Sequence, residues 1–213
     1  MGAKLAGRGD LGRAYTVTSG APTPLLLAST SPQRRAILSQ LGIPYDVAQP
    51  RYEETDDPAA KPIELVRRHA LGKARSLLAD AAGRPVLGVD TAVLVGGEVL
   101  GKPAGDSEAR SMLTRLSGRT HEVLSGLCLI GSGWEELEHE ITRVTFRELG
   151  AREIDAYLSV GEWRERAGAY AIQGLGARLV ERIEGDYLNV VGLPAALLVG
   201  VLARRLPGAY GLG

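Results

Sequence analysis

The sequence predicts an α/β fold with a mixed sheet flanked by helices, on three observations. Apolar runs of strand length alternate with helix-period segments, a Gly-Gly pair joins two strand-like runs, and two long β-rich runs follow each other mid-chain. Leu25-Leu-Leu-Ala28 reads as a short buried strand. Ser31 then offers a side-chain cap, Pro32 a preset first helical position, and Ile37, Leu38 and Leu41 share one face until Gly42. Tyr45 to Val47 reads as a brief strand, residues 49–62 as a polar, acidic loop, and residues 63–81 as a long helix. A strand over residues 85–90 runs into residues 91–95, and Gly96-Gly97 suit a two-residue hairpin into Glu98-Val-Leu100. Residues 107–116 form a helix closed by Gly118. Residues 120–130 and 137–146 are β-rich, the second alternating through Ile141, Val144 and Phe146. Residues 151–160 are helical up to Gly161. A Gly-rich bend at 167–176, a strand over 177–183, a turn at Glu184-Gly-Asp186 and a last helix over 194–206 complete the chain. With no internal repeat, residues 25–206 are expected to form one domain, with a loose tail at 1–24 and a short one at 207–213.

Composition narrows the function. The 213 residues are 45% hydrophobic and carry 25 basic and 25 acidic side chains. A net charge of zero excludes the basic excess of a general nucleic-acid binder. Cys128 is the only cysteine, which excludes an intramolecular disulfide and a Cys-based zinc site; its apolar surroundings mark it as a small buried hydrophobe. No stretch approaches the roughly 18 consecutive apolar residues of a membrane helix. Residues 1–24 hold Lys4, Arg8 and Arg13 without an apolar centre, so a signal peptide is not expected and the cytoplasm is.

Chemistry concentrates at a few places. In Ser29-Thr-Ser-Pro-Gln-Arg-Arg35, Arg34 and Arg35 fall in a first helical turn, where the helix dipole disfavours cations. A bound polyanion, held by Ser29, Ser31, both arginines and the free N–H groups, would relieve that conflict; a capped surface helix with solvated arginines is the plainer alternative. Gly96 to Lys102 has the Gly-x4-Gly-Lys spacing of a phosphate-binding loop, but Pro103 stands where a hydroxyl must reach magnesium. A hairpin carrying Lys102 toward a phosphate fits better. Lys73 on the second helix is either a further cation for that site or an ordinary exposed lysine. Asp90 follows an apolar strand core with Gly88 giving room, where α/β proteins place ligands, and could hold a divalent cation or take a proton from water. Glu53 and Glu54 lie in an acidic loop that is either solvated or metal-binding. His121, at the start of a strand, shows no nucleophile or metal spacing and reads as structural. Gln173 in the Gly-rich bend offers an amide suited to a base edge.

Taken together and in order, Leu27-Ala-Ser-Thr-Ser-Pro-Gln-Arg-Arg35, Gly88-Val-Asp-Thr91, Gly101-Lys-Pro103, Ser117-Gly-Arg-Thr-His121, Tyr170-Ala-Ile-Gln-Gly174 and Asn189-Val-Val-Gly-Leu-Pro194 resemble the Maf family of nucleoside triphosphate pyrophosphatases, also described as septum-formation inhibitors. The resemblance implies an elongated, two-lobed Maf/ITPase-like domain with a twisted mixed sheet and a cleft between the lobes. It implies cleavage of a nucleoside triphosphate between the α and β phosphates, a divalent cation (Mg²⁺ or Mn²⁺) and a homodimer, while composition alone argues against a nucleic-acid or membrane partner. By motif, Asp90 takes the place of the general base, Ser31, Arg34, Lys73 and Lys102 the phosphate positions, and Glu54 the acidic position near the metal. Asp90-Thr91 and Ile172-Gln-Gly174 resemble the branch acting on dTTP and UTP, with Thr91 and Gln173 reading the base. Gln33 departs from that branch, which carries arginine there, so a modified nucleotide is a further candidate substrate. A nucleotide-binding regulator of cell division that does not hydrolyse its ligand is the alternative of a different class.

Overall fold

The computed structural model describes residues 22–55 and 59–212. Residues 1–21, most of the expected N-terminal tail, and residues 56–58 of the acidic loop lie outside the described residues. The strands and α-helices of the described residues are, in chain order, β1 (Leu25–Ala28), α1 (Pro32–Gln40), β2 (Tyr45–Ala48), α2 (Pro62–Arg75), β3 (Val86–Val95), β4 (Glu98–Leu100), α3 (Asp106–Leu116), β5 (Thr120–Gly131), β6 (Trp134–Phe146), α4 (Ala151–Val160), β7 (Val180–Glu184), α5 (Tyr187–Val191) and α6 (Ala195–Arg205). One mixed sheet runs in the order β2-β1-β3-β5-β6-β7, with β4 also paired to β3.

The register of β3 explains the cleft. One edge of β3 pairs with β5 over most of its length, from Val86↔Ile130 to Leu94↔Glu122. Its other edge is shared: β1 pairs in parallel at Val86 and Leu87, and β4 antiparallel at Val93 to Val95. Between them, residues 88–92 have no strand beside them on that edge. The core divides accordingly. At the β1 end, Leu25, Leu27, Leu87, Leu127 and Leu129 pack under α1 and α6 on one face. On the other face Leu26, Val86 and Cys128 pack under Ala70 and Ala74 of α2. At the β4 end Val93, Val123, Val144 and Phe146 pack with α3 and α4. The two ends are lobes on one continuous sheet.

Several boundaries differ from the sequence reading for local reasons. The second helix stops at Arg75 instead of running to residue 81. Ser76 Oγ donates to the Lys73 carbonyl (2.8 Å), and Leu77 N–H turns to Ala74 O instead, leaving a single 3₁₀ turn at Leu78–Asp80. The last strand starts at Val180, because Glu162 accepts the Leu175 and Gly176 N–H groups and winds Leu175–Leu179 into 3₁₀ geometry. The bend read at 184–194 contains the helical turn α5, capped by Asp186 through Leu188 N–H and closed by Gly192. β6 begins at Trp134, since its acids are neutralised from both faces: Glu135 by Arg75 of α2, Glu136 and Glu138 by Arg205 and Arg204 of α6. Beyond the expected domain end at residue 206, Tyr210 and Leu212 pack against the cluster under α6, and the Tyr210 hydroxyl donates to Thr23 O.

Candidate active site

A cleft of about 1400 Å³ opens where β3 lacks a neighbour, and it is lined from both lobes. Asp90 sits at the middle of that bare stretch. Its face of the sheet carries α2, which approaches closely because Gly88 and Gly126 lack side chains: a Cβ there would lie 2.2 Å from Ala70 O and 2.1 Å from Val66 O, respectively. The approach brings Lys73 Nζ to 2.6 Å from Asp90 Oδ1 and 2.7 Å from Glu54 Oε1. Lys73 and Asp90 are mostly shielded, whereas Glu54 is half exposed. Two carboxylates therefore converge on one ammonium group. These are the side chains that could hold a divalent cation; among the described residues no larger cluster of His, Cys, Asp and Glu exists. Glu53 does not line the cleft.

Thr91 points to the opposite face, and there Arg34 organises the wall. Its Nε donates to Gly192 O (2.9 Å), Nη1 to Ser29 Oγ (3.0 Å) and Nη2 to Thr91 Oγ1 (3.3 Å). Burial pushes the Arg34 guanidinium below its usual pKa, and the negative charges of Asp90 and Glu54 oppose that shift. Ser31 caps α1: its Oγ accepts from Arg34 N–H (3.4 Å) and donates to Gln33 Oε1 (3.2 Å). Ser29, Ser31, Gln33 and Arg34 line the cleft, with the N-terminus of α1 facing it. Arg35 does not: one residue on, about 100° further round the helix, it is exposed and away from the cleft.

The far wall comes from the other lobe. Lys102 follows β4 and pairs with Glu165 (3.0 Å), both side chains largely exposed. Gln173 lines the cleft from the bend that Glu162 ties down. The structure thus brings Ser29, Ser31, Gln33, Arg34, Glu54, Lys73, Asp90, Thr91, Lys102 and Gln173 to one cleft, leaving out Arg35. His121 is in the core: its Nε2 meets the Tyr170 hydroxyl (2.9 Å), Phe146 lies edge-on, and burial lowers its pKa to about 4. Cys128 is buried and its thiol is pushed up to about 12.

Sequence reasoning missed Ser125, whose hydroxyl lies 2.9 Å from Thr91 Oγ1, and also Glu162, Glu165 and Arg166. A lone hydroxyl inside the apolar run of residues 123–130 was the available signal for Ser125. The charged run Glu162-Trp-Arg-Glu-Arg166 has no periodicity that would set it apart from a solvated loop.

The charges of the cleft balance. Arg34, Lys73, Lys102 and Arg166 face Glu54, Asp90, Glu162 and Glu165 among the described lining residues, besides His69. A polyanion entering here would need further positive charge.

Known proteins resemble this chain over most of its length. The "dTTP/UTP pyrophosphatase" of Symbiobacterium thermophilum is 49% identical over 180 residues, 84% of this chain and 93% of that protein. The proteins of the same name from Nitratidesulfovibrio vulgaris and Gloeobacter violaceus are 48% and 45% identical, covering 85% and 84% of this chain and 88% and 95% of theirs. The family model described as "Maf-like protein" matches residues 24–205, so the strands and loops that build the cleft all fall inside the match, and the chain belongs to the Maf family.

Proposed function

We propose that this chain hydrolyses nucleoside triphosphates, dTTP and UTP first among them, to the nucleoside monophosphate and pyrophosphate. The observation that carries the reading is the convergence of Asp90, Arg34 and Lys102, from three separate stretches of sequence, on one cleft. The names of the relatives supply the substrate class.

Water attacks the α-phosphorus, the bond to the bridging oxygen of the β-phosphate breaks, and pyrophosphate leaves. Asp90 takes the proton from the attacking water. Lys73 holds its carboxylate at 2.6 Å, so the base is oriented before substrate arrives. The free N–H groups of α1, Ser29, Ser31 and the remaining Nη–H groups of Arg34 receive phosphate oxygens from one wall, and Lys102 from the other. Thr91 and Gln173 face the base, and Gln33, at the start of α1, lines the same cleft.

Glu54 and Asp90 would hold a divalent cation, Mg²⁺ or Mn²⁺. The fit is chemical: oxygen donors suit hard cations, which commonly take one or two carboxylates plus substrate phosphates. It is also electrostatic, because a cleft whose own charges cancel leaves the charge of a triphosphate uncompensated. A bound cation would supply that compensation and polarise the phosphate oxygens. The family resemblance supports a homodimer, which sedimentation tests; the cytoplasm remains the expectation from sequence, which fractionation tests.

The test is pyrophosphate release from dTTP, UTP, CTP and 7-methyl-GTP with Mg²⁺ or Mn²⁺. Release from the pyrimidine triphosphates, abolished by a chelator, is expected. Tight nucleotide binding without release from any of them would favour the non-hydrolysing regulator.

A further inference from the structure

Among the described arginines and lysines that line the cleft, Arg166 is the one for which neither motif nor resemblance provides a role. It lines the cleft from the lobe opposite α1, and its Nε–H is buried with no hydrogen-bond partner. Among the described residues it makes no ion pair, unlike Lys73 and Lys102, whose ammonium groups are already engaged by carboxylates. Its backbone is fixed: its N–H donates to Trp163 O (3.2 Å), and two residues on Gly168 N–H donates to Gly101 O (3.1 Å). That bond joins the loop after β4 to the loop after α4, so Lys102, next to Gly101, and Arg166, two residues before Gly168, are carried by tethered loops.

A buried guanidinium N–H without an acceptor is uncommon in a folded protein, because it has given up water and gained nothing. It is satisfied when an acceptor arrives, and an anionic oxygen at a forked donor is the best match. We infer that Arg166 is a substrate-binding residue of this reaction, which with Lys102 grips the β- and γ-phosphates from the second lobe. Arg34 and the α1 N-terminus hold the chain from the first lobe, so the pyrophosphate leaving group is held from both walls while Asp90 faces the α-phosphorus. This rests on the pyrophosphatase reading and adds a residue to it.

The experiment compares wild type with Arg166→Met and Arg166→Lys, measuring pyrophosphate release from UTP and inhibition by pyrophosphate and by UMP separately. Circular dichroism and thermal unfolding establish that the variants fold. The expectation for Arg166→Met is a kcat/KM at least ~10-fold lower and a pyrophosphate inhibition constant at least ~10-fold higher, as for loss of a charge-assisted contact. UMP inhibition should change less than ~2-fold. Arg166→Lys keeps the charge but not the fork, and should fall between the two. If Arg166→Met matches wild type, or weakens UMP while sparing pyrophosphate, the phosphate grip is wrong. Should Arg166→Met not fold, Arg166→Lys with wild-type pyrophosphate inhibition overturns the grip by itself. If wild type releases no pyrophosphate from any nucleotide, the pyrophosphatase reading falls first and this role with it.

Discussion

Lys73 Nζ lies 2.6 Å from Asp90 Oδ1, and that contact depends on two glycines in the strands beneath α2. Gly88 and Gly126 let the helix backbone settle against the sheet, which sets how far Lys73 must reach. A methyl group at Gly126 would lie 2.1 Å from Val66 O, a backbone atom held in the helix. Gly126→Ala is therefore expected to lower stability by about 1–3 kcal/mol and to reduce kcat as α2 lifts away from Asp90. Thermal unfolding and steady-state turnover measure the two effects; a variant unchanged in both would show that the helix relaxes freely.

Asp90→Asn preserves shape and removes the proton acceptor. The expected outcome is a rate at least ~100-fold lower, the usual scale for loss of a general base, with secondary structure retained. Near-normal turnover at saturating dTTP and Mg²⁺ would take Asp90 out of the chemistry.

Arg34 has a second duty that its sequence position did not reveal. By bonding Gly192 O, Ser29 Oγ and Thr91 Oγ1 it ties together the β1 loop, β3 and the end of α5. Arg34→Ala should thus raise KM and also cost about 2 kcal/mol of stability, or a Tm roughly 4–8 °C lower for a chain of this size. An unshifted melting curve would leave the arginine as a ligand contact only.

His121 makes stability depend on pH. Burial lowers its folded pKa to about 4, against about 6.5 unfolded, so the unfolded chain binds the proton more readily between those values. Its contribution is fully present above about pH 6.5 and is lost as pH falls toward 4, by up to ~3 kcal/mol. Denaturant midpoints across that range measure the slope, and His121→Gln should flatten it. An identical slope in the variant would assign the acid sensitivity elsewhere.

Cys128 carries a thiol pushed up to about 12 and has no exposed surface. It should resist alkylation at pH 8 in the native state and react only after unfolding. Rapid labelling of native protein would mean that the sheet opens locally between β3 and β5.

What could be read in advance was what neighbours in sequence decide. Ser31 with Pro32 defined a helix start, Gly96-Gly97 a hairpin, and the run before Asp90 a buried strand, because each signal is local. The misses have distant causes. The second helix ends early because Ser76 bonds back to Lys73 O, a choice that the apolar pattern of Leu77 and Leu78 hid. The strand expected over 177–183 starts only at Val180, because Glu162, more than ten residues upstream, takes the N–H groups of Leu175 and Gly176 just before it and winds Leu175–Leu179 into 3₁₀ geometry. At the site, Ser29, Lys73, Asp90 and Lys102 were legible by residue type and motif order. That Lys73 sits between two carboxylates, and that Arg35 turns away, follows only from how α2 and α1 lie on the sheet.

The bare stretch of β3 at residues 88–92 also bears on how such a protein can be rebuilt. Among the described strands, β3, β5 and β6 are the long ones, and they pair continuously past the cavity from one lobe to the other. Neither half is a detachable module: a cut after β4 would leave Asp90 on one fragment and its partner strand on the other. Exchanging halves between relatives would have to preserve two strand registers at once. Exchanging the loops that hold Lys102 or Gln173 would leave the scaffold intact, and new ligand preferences are most readily grafted there.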